Sequence, residues 1–136
     1  YDNKDAIAGN LACFFALGVA FFPTTDNSII GIIHLLCALL FFATLIYFSL
    51  VLFTKSSKPK ELQSSAKRKR NMVYKVCGII MILCIVFIGA FFFIIDKQFP
   101  SFKENNPVFW LEAIALIAFG VSWLTKGQFL LKGDGK

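Results

Sequence analysis

Histidine occurs once in this chain, as His34, so a b-type haem held between two histidines would need its second ligand from another subunit. No HExxH is present, which excludes the helix-borne zinc site of a metalloprotease. The absence of CxxC removes a zinc knuckle and a thioredoxin-type redox pair. There is no GxxxxGK loop to cradle nucleotide phosphates, no GxGxxG ahead of a helix and no pair of aspartates inside an apolar run. Charge is scarce too. Only 16% of the 136 residues are charged, against about 25% in soluble domains.

What fills the chain instead is hydrocarbon. Hydrophobic residues reach 57%, above the roughly 45–50% of soluble proteins. They gather in four runs, residues 6–22, 29–53, 76–95 and 108–124, which are 17, 25, 20 and 17 residues long. About 20 helical residues cross a ~30 Å hydrocarbon core. A soluble bundle helix would keep a polar face at 3.6-residue spacing, and residues 79–95 have none. The four cysteines, Cys13, Cys37, Cys77 and Cys84, lie in or at the ends of these runs and read as small packing residues rather than a disulfide framework.

The net charge of +6 is concentrated between the runs. The polar stretch 54–72 carries Lys55, Lys58, Lys60, Lys67, Arg68, Lys69 and Arg70 against the single acid Glu61. Alternating crossings put 12 of the 14 basic residues on one side, leaving only Lys97 and Lys103 opposite. The positive-inside bias then makes both ends and the 54–72 stretch cytoplasmic. Trp110 and Trp123, 13 residues or roughly 20 Å apart, fit the two interfaces of the last span. In this setting Lys67, Arg68, Lys69 and Arg70 read as a topology signal touching anionic headgroups, not as a nucleic-acid site. The tail Phe129-Leu130-Leu131 is too short to anchor by itself.

Several residues inside the runs invite a role. Ala8, Ala12, Ala16 and Ala20 form a small-xxx-small stripe, flanked by Gly9 and Cys13, which lets helix backbones approach closely. Its partner is another helix of this chain or a separate subunit. Asn10 reads as helix glue or as a site. Thr44, Tyr47 and Ser49 are expected to return their hydroxyls to local carbonyls or sit near the interface. His34 lies five residues into the second run and Glu112 four into the fourth, both roughly 6–8 Å below the outer end. One reading pairs them as a proton-handling or headgroup-binding polar site. The other has His34 donating to a backbone carbonyl while Glu112 snorkels to water. Ser122 lies toward the opposite face from His34, which weakens a serine–histidine nucleophile. No cofactor or metal is expected, and enzymatic activity is not.

Four stretches carry a family likeness: GNLACFFALGVAFFPT from Gly9, GIIH ending at His34, PVFWLE from Pro107 and FGVSWL from Phe119. Together they resemble an uncharacterised family of bacterial multipass inner-membrane proteins, a domain of unknown function. The resemblance implies a helical membrane fold, with a histidine early in one span and a further helical hairpin upstream of Tyr1, and it implies no activity.

The expectation is therefore an all-α polytopic transmembrane bundle, with spans at about 6–22, 29–53, 73–95 and 108–124. It forms a single transmembrane domain over residues 1–136, with a basic cytoplasmic loop at 54–72. The partners expected are membrane lipids and other membrane-protein subunits, with no nucleic acid. The leading function is a non-catalytic accessory or structural component. The rival is a small transporter-like or lipid-binding protein using His34 and Glu112.

Overall fold

The computed structural model describes residues 3–24, 29–57, 59, 62–92 and 106–131, and among these every regular element is helical. Helix α1 spans Asn3–Phe21, α2 Ile29–Tyr47, α3 Ser65–Ala90 and α4 Pro107–Lys126; a π-type turn, Phe48–Leu52, continues α2. All four helices are long and apolar enough to cross a membrane. At 1.5 Å per residue, the 19 residues of α1 reach about 28 Å and the 20 of α4 about 30 Å.

Each boundary has a local cause. The Phe22 amide still bonds to the Gly18 carbonyl (3.1 Å), and Pro23, which has no amide hydrogen, ends α1 there. The sequence of residues 24–28, Thr-Thr-Asp-Asn-Ser, offers turn and N-cap side chains for α2, but residues 25–28 lie outside the described residues. Helix α3 begins well before its apolar run because Ser64, in extended geometry, accepts a bond from the Lys67 amide. No glycine or proline then interrupts the chain until Gly78. Residues 65–72 of the basic stretch are thus helical rather than loop. Helix α4 opens on Asn106 in left-handed geometry (φ 47°), followed by Pro107 in its first turn. It closes on Gln128 (φ 62°), where Phe129 N bonds Leu124 O (3.0 Å) and Gln128 N bonds Thr125 O (3.2 Å), a Schellman motif.

The chain divides into two compact units, Tyr1–Phe48 and Ser49–Lys136. In the first, α1 and α2 pack antiparallel. At Gly18 they approach closely enough that an added Cβ would lie 2.5 Å from the Cys37 Sγ. Along the alanine stripe, Ala8 is buried, Ala12 and Ala16 are half-buried and Ala20 is exposed. An open groove of about 550 Å³ follows the hairpin, lined by Lys4, Ala8, Phe15, Leu40, Thr44 and Tyr47 among others.

In the second unit α3 packs on α4. The buried positions of α3 are Tyr74, Cys77, Gly78, Met81, Cys84 and Ile88; those of α4 are Ala115, Ala118, Ser122 and Thr125. Both sets repeat every three or four residues and so mark one face of each helix. Gly78 leaves room for Leu50, whose side chain a Cβ there would strike. All four cysteines are free: Cys77 and Cys84 are buried, Cys37 is half-buried and Cys13 is exposed.

Candidate functional site

Three polar constellations interrupt the apolar packing. The first lies in the hairpin. The His34 Nδ1–H donates to the Phe22 carbonyl at 2.6 Å, and its Nε2 faces the Thr24 hydroxyl at 3.4 Å. A carbonyl only accepts, which fixes the proton on Nδ1 and leaves Nε2 to accept from Thr24. Carbonyls at a helix C-terminus lack an intrahelical donor. His34 supplies one, and so ties the end of α1 to the second helical turn of α2. This is the backbone-donor reading of His34. Glu112 is half-buried in α4, in the other unit.

The second constellation was not legible in the sequence. Ser49, in the π-type turn and fully buried, donates to the Tyr74 carbonyl at 2.8 Å and shares a 2.8 Å hydrogen bond with the equally buried Ser122. The local bond expected of Ser49 is thus replaced by a link from the π-type turn to both α3 and α4. Thr44 does behave locally, donating to the Leu40 carbonyl at 2.8 Å. Asn10 is exposed on α1. The node's chemistry is that of a lock. Two hydroxyls satisfy each other and a carbonyl that already accepts within its own helix, so none is left as an unpaired group in apolar surroundings.

The third constellation surrounds Phe53, where α3 begins and α4 ends. Its buried ring lies 5.5 Å from Tyr74, 5.7 Å from Trp123 and 6.3 Å from Phe119, centroid to centroid. Lys67 Nζ donates to the Phe53 carbonyl (3.1 Å), Lys126 Nζ stands 5.5 Å from the ring centroid, and an Arg70 Nη donates to the Leu131 carbonyl (3.4 Å). Lys67 is partly desolvated and sits in the repulsive fields of Lys126 and Arg70. The four-residue basic run therefore has two faces. Lys67 and Arg70 are half-buried toward Tyr74, whereas Arg68 and Lys69 are exposed. Two buried polar atoms next in sequence to this cluster have no hydrogen-bond partner: the Thr125 hydroxyl oxygen and the Asn71 side-chain carbonyl oxygen.

Trp110 and Trp123 are exposed near opposite ends of α4. Phe129 and Leu130 are exposed beyond its end. Among the described residues no group of three His, Cys, Asp or Glu side chains could hold a metal ion.

Fold and polar features together define a class: a helical chain with four helices suited to crossing a membrane, carrying interhelical polar locks and a cationic end. Comparison with protein families, with curated proteins and with solved structures returns no match.

Proposed function

We propose that this chain is a non-catalytic multipass component of the bacterial inner membrane, working by packing against other helices in a larger membrane assembly. Both ends and the 54–72 stretch face the cytoplasm, and the cations there contact anionic headgroups. The observation that carries the reading is the hairpin's surface. Only 6% of the apolar window of α1 and 11% of that of α2 is buried within the chain. Phe14, Leu17, Phe21, Ile32, Leu36 and Leu39 are all exposed. An apolar surface of this extent is covered by lipid or by partner helices. The engagement of His34 with the end of α1 favours a structural role for that residue over proton handling.

The test is affinity purification in a mild detergent, followed by repeat purification of a variant carrying Phe14→Lys and Leu17→Lys on the exposed face of α1. The expected result is a stoichiometric complex with other membrane proteins that the double variant no longer forms. A chain that purifies alone, with a pH-dependent flux or lipid binding abolished by His34→Ala or Glu112→Ala, would replace this reading with the transporter-like one.

A further inference from the structure

We infer that Lys67 and Lys126, both against Phe53, and Arg70, one helical turn on from Lys67, form one built site for a phosphate group. The inference deepens the headgroup contact proposed above and rests on it for the side of the membrane the site faces. That contact was distributed over a linear run of four basic residues. The structure divides the run and recruits a residue far away in sequence, Lys126.

Three observations converge. First, three cations from two helices are held at one place by weak substitutes for a counter-ion: a carbonyl for Lys67, an aromatic face for Lys126 and a carbonyl for Arg70. Second, no carboxylate pairs with them among the described residues. The only described carboxylate of this unit is Glu112, 14 residues before Lys126 along α4 and hence about 21 Å away. Third, α3 begins here with Lys67 in its first turn and no acidic residue there. Cations oppose the positive end of a helix dipole, and a bound anion reverses that penalty while adding to the favourable field. Two ammonium groups and a guanidinium are a donor set that matches a phosphate's oxygens, with Arg70 able to bind two of them.

The position also selects the ligand. The cluster stands where the polar start of α3 meets its apolar run, the level of lipid headgroups for a helix of this length. Phe53, Tyr74 and Trp123 supply the apolar floor beneath it. An anionic phospholipid and free phosphate share the group that would be recognised.

The experiment is a titration of the full chain, purified in detergent, with short-chain phosphatidylglycerol in one arm and inorganic phosphate in the other, read by calorimetry. Saturable binding at one site is expected. Lys67→Gln, Arg70→Gln and Lys126→Gln should each weaken it about tenfold, as expected for losing one charge-assisted bond. Arg68→Gln and Lys69→Gln should leave it within about twofold. Lys126 is exposed, so its variant keeps the packed core and remains informative if the others misfold. Saturation by the lipid alone assigns a headgroup; equal saturation by inorganic phosphate assigns the free ion. Both outcomes support the site. Equal loss across all five variants overturns it while leaving a diffuse headgroup contact standing. Absence of saturable binding in both arms overturns it as well.

Discussion

The two halves of this chain differ in how much of their helices they bury. The hairpin of Tyr1–Phe48 sets a glycine against a cysteine, buries Ala8, Ala38, Phe42, Leu45 and Phe48, and ties off a helix end with one histidine. The unit of Ser49–Lys136 buries more. It has a fully buried methionine, a serine lock and an aromatic cluster about Phe53. The share of apolar window buried within the chain is 33% for α3 and 22% for α4, against 6% and 11% for α1 and α2. A hydrocarbon solvent removes the usual drive to bury apolar surface, so a helix pair can persist with little core if its backbones come close enough. The hairpin is therefore the half that leaves the larger share of its helical surface to lipid or a partner.

Substitutions can break this contrast, beginning with the largest expected effect. Met81 is fully buried, and Met81→Ala should cost about 2–5 kcal/mol in detergent unfolding. Phe14→Ala, on the exposed face of α1, should stay within about 0.5 kcal/mol in the isolated chain. If the two cost the same, the contrast fails. Next, Gly18→Ala should cost about 1–3 kcal/mol by driving a methyl into Cys37. Gly9→Ala, with open space around it, should be neutral or slightly stabilising, since alanine is the better helix former. Thermal melting of the two variants side by side checks the packing of the hairpin.

Ser49→Ala should cost about 1–2 kcal/mol, and a double-mutant cycle with Ser122→Ala should show coupling between the two. Additive losses would mean that the hydroxyls do not act as a lock. Among the substitutions expected to destabilise, His34→Ala should cost least, at about 1 kcal/mol. Its signature is local. Hydrogen exchange should speed up in the last turn of α1 and stay unchanged in α3 and α4.

The helices were legible because run length in an apolar sequence is nearly sufficient in lipid, where only a helix or a closed barrel satisfies the backbone. The early start of α3 was harder to read, because the apolar run marks where hydrocarbon begins while Ser64 marks where the helix begins. The π-type turn is filled by the same residue types as the helix before it, so nothing in Phe48–Leu52 announces the change. Ser49 and Ser122 are 73 residues apart, and sequence spacing cannot bring them together. The division of the basic run was available in principle. Lys67, Arg70 and Tyr74 share one helical face by their three- and four-residue intervals, once that segment is known to be helical. His34 and Glu112 were matched by depth alone, and depth says nothing about which way a side chain points around its helix.

The proposed topology requires hydrocarbon around these helices and the basic stretch in the cytoplasm. Its most direct test is labelling of single cysteines by a membrane-impermeant maleimide in intact bacterial cells, on a background with the four native cysteines replaced. Ser57→Cys should react only after the cells are permeabilised, whereas Ser101→Cys should react without it. Labelling of Ser57→Cys from outside intact cells would contradict the account.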